Sequence, residues 1–167
     1  MAKSVNIIIL ASALCLFSLL GIAYSTPTGL TVVGKVYCDT CRIQFRTKLS
    51  TDINGAKVKL ECRESEGGSV TYSKDGITDG TGTYKIEVEG DHEEENCEVN
   101  LVSSPDTNCN QISRPKGKDL GAKISLTTNN GISSNERQAN DLGFLNNERL
   151  PGCNEILRSI GLTQEDI

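Results

Sequence analysis

The fold is decided around the stretch Val33-Gly34-Lys35-Val36-Tyr37-Cys38-Asp39-Thr40-Cys41-Arg42. This stretch closes a β-like segment, carries two cysteines three residues apart, and leads into a second β-like segment predicted from Arg42 to Leu49. A Cys-x-x-Cys pair usually indicates a redox pair or half of a zinc site. A redox pair favours a helix N-terminus, however, whereas a β-like run follows here, and a zinc site would need a second pair at similar spacing, which this sequence lacks. We therefore predict no metal, no cofactor and no redox role for Cys38 and Cys41.

The N-terminus indicates a secreted protein. Lys3 precedes an almost entirely apolar run from Val5 to Ile22, and Ala23-Tyr24-Ser25 offers small residues at the −3 and −1 positions of a cleavage site. The pattern predicts a secretory signal peptide over residues 1–25 and one mature domain over residues 26–167, located in the apoplast or cell wall. An uncleaved anchor is the alternative, because the apolar run is at the lower limit for spanning a bilayer.

Cleavage after Ser25 would remove Cys15 and reduce seven cysteines to six. An even number of cysteines in a secreted chain implies three disulfides, and six cysteines allow fifteen connectivities. Side chains alternate in direction along a strand, so Cys38 and Cys41 differ in parity and are expected to serve two different partners. The six cysteines are Cys38, Cys41, Cys62, Cys97, Cys109 and Cys153.

Charge and composition exclude several classes of function. Removing Lys3 would bring the formal charge from −5 to −6, and such a surface repels nucleic acid and anionic membranes. The chain has no Trp, which argues against a platform for stacking sugars. Its single histidine, His92, lies in an acidic run, so a nucleophile and base pair is not evident. We predict that the protein is not an enzyme and expect a monomer.

The mature chain is expected to be all-β, an antiparallel barrel or sandwich of about seven strands with three disulfides and a short C-terminal helix. Strict alternation places Val58, Leu60 and Cys62 on one inward face. A helical spacing of apolar residues predicts the helix from Asn154 to Ile160. The predicted strands cover residues 31–38, 42–49, 57–62, 69–73, 83–89, 97–101 and 122–126, with turns at Asn54-Gly55, Gly67-Gly68, Asp75-Gly76 and Asp79-Gly80.

Residues 129–151 follow the last predicted strand and show no clear pattern of a strand or a helix. A segment of this length is usually a binding or lid loop, or an element whose type has been misassigned. Leu142 and Phe144 within it are candidate partner-binding residues; the alternative is that they pack onto the core.

The segment Glu87–Glu98 is the most acidic part of the chain. Glu93, Glu94 and Glu95 are its candidate partner-binding residues. Three interpretations stay open: a solvated hairpin tip, a recognition edge for a basic partner, and a weak calcium site. The spacing of the carboxylates does not match an EF-hand loop, so a basic partner is preferred over calcium.

The cysteine-containing stretch resembles the signature of the Ole e 1-like family, the olive-type pollen allergens. The resemblance extends over nearly the whole mature chain. Further blocks that resemble the family are Asn54–Cys62, Gly90-Asp91-His92, Cys97-Glu98-Val99, Leu126–Ile132 and Leu150-Pro151-Gly152-Cys153. Many members carry an N-glycosylation sequon, and this chain has none.

The resemblance implies a secreted, non-enzymatic plant protein with a β-barrel-like fold. It also implies three disulfides, Cys38–Cys109, Cys41–Cys153 and Cys62–Cys97. The expected partner is an extracellular protein, such as the ectodomain of a receptor kinase, acting in pollen hydration, germination or tube growth. A carbohydrate-binding protein of the cell wall and a protease inhibitor are the alternative functions.

The cleavage prediction can be tested directly. We expect the mature N-terminus at Thr26, within one or two residues, because of the small residues that precede it. Edman sequencing of protein recovered from the wall fraction or medium measures this. A membrane-bound product that begins at Met1 or Ala2 would contradict the prediction.

Overall fold

The computed structural model describes residues 29–114, 120–128, 131 and 134–161. The predicted signal peptide and its cleavage site lie outside the described residues. The described residues form ten strands and one helix. These are β1 Thr31–Asp39, β2 Thr51–Asp52, β3 Lys57–Arg63, β4 Val70–Ile77, β5 Thr83–Glu87, β6 Asn96–Ser103, β7 Cys109–Gln111, β8 Ala122–Ile124, β9 Glu136–Gln138, β10 Leu142–Asn146 and α1 Cys153–Ser159.

Strand β1 is the centre of the first sheet. Its first half pairs with β5 on one edge and β9 on the other, over Thr31 to Lys35 and Thr31 to Val33 respectively. Its second half pairs with β2 and β10, and β10 continues to β7. The strands β9 and β10 run parallel to β1, which corrects the expectation of a wholly antiparallel fold. Parallel neighbours need a long connection, and here the chain returns from the other sheet to make them.

The second sheet is antiparallel, in the order β4-β3-β6-β8. Among the described residues no hydrogen-bonded strand pair joins the two sheets, so the molecule is a β-sandwich and not a closed barrel. The inward residues of β3 predicted from alternation are buried, and those of β6 meet them across the pair: Leu60 faces Val99, and Cys62 faces Cys97. The all-β sandwich expectation is therefore confirmed.

Two glycines allow tyrosine rings to lie flat against neighbouring strands. A Cβ added to Gly34 would lie 2.3 Å from the Tyr84 hydroxyl oxygen, and one added to Gly143 would lie 2.8 Å from Cζ of Tyr37. Both rings are almost fully buried. Burial raises the pKa of Tyr37 to about 12 and raises that of Tyr84 as well, because a phenolate in this core would lose its hydration.

The prediction of a strand from Arg42 to Leu49 is wrong. The chain turns after β1, and Arg42 and Gln44 adopt left-handed backbone conformations, with φ of 58° and 64°. The buried carboxylate of Asp39 accepts hydrogen bonds from the backbone N–H groups of Cys41 (3.2 Å) and Gln44 (2.6 Å). These bonds bend the chain into a compact loop, so the β propensity of the sequence is overridden by local side-chain chemistry.

The predicted turn at Asp75-Gly76 is also wrong, because both residues lie inside β4. Gly76 is needed there for packing: an added Cβ would lie 2.8 Å from Cγ1 of Ile86 and 3.1 Å from Cγ2 of Val58. The glycine lets the two sheets approach closely, which is one of the uses of glycine inside a strand.

The segment 129–151 is not a single loop. It contains β9 and β10, and both pair with β1. Leu142 and Phe144 of β10 are 6% and 0% exposed, so they belong to the core and cannot bind a partner. The predicted C-terminal helix is confirmed as α1, which begins one residue earlier and is followed by Gly161 with φ of 78°.

The packing of Tyr84 against Gly34 predicts that two glycine substitutions change the free energy of unfolding by very different amounts. Gly34→Ala should lower the free energy of unfolding by about 1–3 kcal/mol, because overpacking forces the ring or the strand to shift. Gly80→Ala is the control, since an added Cβ at Gly80 meets nothing within 4 Å, and it should change stability by less than about 0.5 kcal/mol. Urea unfolding of the oxidised proteins measures both values, and equal effects would refute this account of Gly34.

Candidate functional site

The two cysteines of the Cys-x-x-Cys stretch have different partners. The structure contains the disulfides Cys38–Cys109, Cys41–Cys153 and Cys62–Cys97, with Cα–Cα distances of 5.8, 5.3 and 4.0 Å. These are the pairs that the family resemblance implies. The first two disulfides attach β7 and the start of α1 to the end of β1, so the stretch is a structural junction.

The polar residues of the same stretch also hold structure together. The Thr40 hydroxyl donates to the Leu49 carbonyl oxygen (3.1 Å), and the Thr40 carbonyl oxygen accepts from the Leu150 N–H (3.1 Å). The Arg42 guanidinium donates to Gln111 Oε1 (3.0 Å) and to the Asn146 carbonyl oxygen. The side chains of Asp39, Thr40 and Arg42 are thus all used in structural contacts.

The acidic segment Glu87–Glu98 is ordered around His92. The two ring nitrogens of His92 lie 2.9 Å from Glu95 Oε2 and 2.9 Å from the Glu89 carbonyl oxygen. The ring packs on Tyr72 of β4, with 4.2 Å between centroids. The side chain is only 12% exposed, so His92 is not a solvated residue at a hairpin tip. The residues between β5 and β6, 88–95, therefore form a folded loop attached to β4, and we call them the acidic loop.

Glu93 and Glu95 are used inside this loop. The Thr71 hydroxyl donates to Glu95 Oε2 (3.0 Å), in addition to the contact of Glu95 with His92. The Thr128 backbone N–H (3.2 Å) and hydroxyl both donate to Glu93 Oε1. These contacts join the acidic loop to β4 on one side and to the chain after β8 on the other.

Two cations contribute to the same arrangement. Lys74 of β4 pairs with Glu89 at 2.5 Å, and this charged hydrogen bond lowers the pKa of Glu89 and raises that of Lys74. Arg137 of β9 is buried and donates to the Thr127 carbonyl oxygen (2.8 Å), next to the residue that holds Glu93. The position of Glu93 thus depends on β9.

The exposed carboxylates of the segment are Glu87, Glu89, Asp91 and Glu94, and of these Glu89 is paired with Lys74. Among the described residues, Glu94 has no hydrogen-bond or ion-pair partner, so the triplet Glu93-Glu94-Glu95 does not act as one binding unit. A groove of about 660 Å³ lies beside the loop, with Leu30, Val88 and Leu126 among its apolar lining residues. Exposed carboxylates next to apolar lining can contact a basic, partly apolar surface.

A metal site is not formed by this arrangement. In the part of the chain that the structure describes, the one cluster with suitable ligand atoms is Cys62, Glu95 and Cys97. Both cysteines are in a disulfide and cannot act as thiolate ligands, so a single carboxylate remains. The described residues also include no helix with the length and apolar character required to span a bilayer.

Sequence reasoning missed three residues that organise these surfaces. The role of Asp39 depends on a turn that the sequence analysis had predicted as a strand. The roles of Arg137 and Tyr72 depend on contacts with residues distant in sequence. Only Asp39 had a local signal: an Asp directly before a Thr and a turn often bonds to backbone N–H groups downstream. Arg137 lies in a polar stretch, where its burial had no pattern to indicate it.

The fold defines a class of protein: a small β-sandwich whose strands and helix are linked by three disulfides. Within that class the family is established by comparison. The family model described as pollen protein Ole e 1 like matches residues 28–161, and the chain belongs to this family.

Several known proteins are similar over their full length. An Olee1-like protein of Betula pendula is 54% identical over 167 residues, covering 100% of this chain and 99% of that protein. The anther-specific protein LAT52 of Solanum lycopersicum is 45% identical over 162 residues, covering 97% of each. The crystal structure of the major plantain pollen allergen Pla l 1 has a TM-score of 0.68 at 35% identity, covering 75% of this chain and 99% of that one.

The hydrogen bonds of the acidic loop predict different roles for neighbouring glutamates. Glu95→Ala removes the acceptor for both His92 and Thr71, so amide exchange of residues 92–96 should accelerate by about tenfold or more. Glu94→Ala removes no described contact and serves as the control, with exchange unchanged. Hydrogen exchange followed by mass spectrometry measures both, and equal protection in the two variants would count against a folded loop.

Proposed function

We propose that this protein is a secreted, non-enzymatic protein of pollen that binds an extracellular protein partner during hydration, germination or tube growth. The ectodomain of a receptor kinase is the partner class we favour. The single observation that carries the proposal is the acidic loop. It is held rigid by internal contacts while Asp91 and Glu94 face solvent beside an apolar-lined groove.

A rigid loop that keeps charges exposed suits recognition. Ordering a flexible segment on binding costs free energy, and a loop already fixed by His92, Glu93 and Glu95 avoids much of that cost. The exposed carboxylates would act mainly on the rate of association with a basic surface. The membership of this chain in a family of pollen proteins supports a role in pollen. The similarity to an anther-specific protein agrees with that role.

Secretion and the absence of catalysis belong to the same proposal. Three disulfides favour an oxidising compartment, which supports export to the wall or apoplast. The family of pollen proteins supports a non-enzymatic role. Asp39, Thr40 and Arg42, next to Cys38 and Cys41, are used in structural hydrogen bonds, which supports a structural role for this stretch.

No specific observation favours the two alternative functions. A carbohydrate platform combines several exposed aromatic rings, but Tyr37, Tyr84 and Phe144 are buried and Tyr72 packs on His92. Phe45 is then the one exposed aromatic residue among the described residues, and a single ring does not form a platform. A protease inhibitor presents an extended segment to its enzyme. The loop after Cys41 is instead bent by left-handed residues at Arg42 and Gln44.

The proposal is tested by capturing the partner from germinating pollen with the mature protein and measuring the kinetics of the purified pair. Asp91→Asn combined with Glu94→Gln should slow association by about threefold or more at low ionic strength, and the difference should shrink as salt is added. Glu64→Gln combined with Glu155→Gln makes the same change in net charge at exposed sites elsewhere and is the matched control. Equal rates for the two double variants would leave the acidic loop without a role in recognition.

A further inference from the structure

Residues 42–50, which lie in the connection between β1 and β2, include a strained backbone. Arg42 and Gln44 are not glycines, yet both have positive φ values, of 58° and 64°. Residues with side chains occupy this region only at a cost in free energy, and they persist there only where the surrounding structure holds them. We call residues 42–50 the anchor loop.

Several independent contacts hold the strained residues. The Asp39 carboxylate binds the Gln44 N–H at 2.6 Å, and the Gln44 side-chain amide donates to Ser113 Oγ at 3.0 Å. Arg42 donates to Gln111 Oε1 and to the Asn146 carbonyl oxygen. The loop begins directly after the Cys41–Cys153 disulfide. The conformation is thus fixed from three directions: β1, the chain around β7, and β10.

This rigid loop places Phe45 in solvent. Its ring is 43% exposed, whereas Phe144, the other described phenylalanine, is 0% exposed. The residue that follows it, Arg46, is fixed by Asp52 at 2.5 Å and Asp141 at 3.2 Å, and its guanidinium lies 5.1 Å from the centre of the Tyr37 ring. Phe45 therefore lies between two residues that are held in place, Gln44 and Arg46, so the backbone that carries its ring has a fixed position.

The anchor loop differs in charge from the rest of the chain. It contains three basic residues, Arg42, Arg46 and Lys48, and no acidic residue, while the whole chain carries −5. Arg46 is paired with carboxylates. Lys48 is exposed, and among the described residues no carboxylate pairs with it. The chemistry offered to a partner is thus one aromatic ring with a cation three residues away.

The anchor loop lies at the opposite end of β1 from the acidic loop. Thr31, at the start of β1, is paired with Glu87 of the acidic segment, whereas the anchor loop follows Asp39 at the end. Nine residues of strand span roughly 26 Å at about 3.3 Å per residue. A contact made by Phe45 is therefore separate from one made by Asp91 and Glu94.

We propose that the anchor loop is a docking site for an extracellular protein, with Phe45 inserted into an apolar pocket whose rim carries carboxylates that face Lys48. This inference rests on the proposed function, since it assumes a protein partner on the pollen surface. A rigid aromatic side chain is the kind of residue that dominates protein interfaces, because little conformational freedom is lost when it is buried. Charge complementarity with the exposed Lys48 selects a pocket rim that carries carboxylates.

The features of the anchor loop fit binding to a pocket on a protein better than binding to a lipid surface. Membrane-binding segments bury several apolar residues and gain from a broad basic face. Here one ring is held on a strained turn, and Arg46 beside it is already neutralised by Asp52 and Asp141. Lipid binding is accordingly an outcome that the experiment must distinguish from protein binding.

The experiment uses saturation binding of the fluorescently labelled mature protein to washed, germinating pollen tubes. Phe45→Ser should weaken binding on the order of 30-fold, as is typical for the loss of a dominant aromatic contact. Phe45→Leu keeps an apolar side chain and should lose less. Ile77→Ser is the matched control, because Ile77 is 62% exposed on β4 of the other sheet, and its affinity should equal that of the unsubstituted protein.

Other results would contradict the proposed function, the docking site or the protein pocket. Unsubstituted protein that shows no saturable binding to pollen tubes refutes the proposed function and the docking site together. Binding that is normal in Phe45→Ser refutes the docking site alone. Binding that survives mild protease treatment of the tubes, and that Phe45→Ser also abolishes on vesicles containing phosphatidylserine, would falsify the protein pocket in favour of lipid. Near-UV circular dichroism and urea unfolding verify that each variant is folded. If Phe45→Ser does not fold, the binding of Phe45→Leu tests the docking site instead.

Discussion

The hydrogen bonding of β1 along both of its edges is the constraint on which the rest of the structure depends. Four strands pair with it: β5 and β9 along its first half, and β2 and β10 along its second. Buried backbone groups must be paired, so a strand at the centre of a sheet can lie entirely inside the protein. This explains why every residue from Val36 to Cys41 is buried, on both sides of the strand. The Cys-x-x-Cys pair is consequently a point in the interior to which β7 and α1 are attached.

The parts of the fold that the sequence predicted well are those with one buried face. In β3, β5 and β6 the apolar residues alternate with polar ones because each strand covers the core with one side. The position of β9 and β10 was not predictable in the same way. Both strands are short, and both pair with β1, which lies about a hundred residues earlier. Glycine within β10 and a buried arginine within β9 obscured the alternation further.

The anchor loop shows why local propensity failed next to the most informative motif. Ile43 and Phe45 alternate with polar residues and therefore have the pattern of a strand. The carboxylate of Asp39 competes successfully for the backbone N–H groups that a strand would have given to a neighbour. One buried side chain thus decides the conformation of this segment, and in that conformation Phe45 is exposed. The most apolar candidates for binding, Leu142 and Phe144, moved in the opposite direction when β10 formed beside β1.

The same strand also decides how charge is distributed over the molecule. Because β1 crosses the sandwich once, the acidic segment beside its start and the basic anchor loop after its end are kept apart by the length of the strand. Charges separated by more than a Debye length of roughly 10 Å are largely screened from each other, so the two ends do not neutralise one another. A partner that approaches the start of β1 therefore meets the exposed carboxylates of the acidic segment, whereas a partner that approaches its end meets Lys48, because Arg46 is paired with Asp52 and Asp141. The positions of the two loops relative to β1 thus set which end of the protein a basic or an acidic surface can approach, and this follows from topology, not from composition.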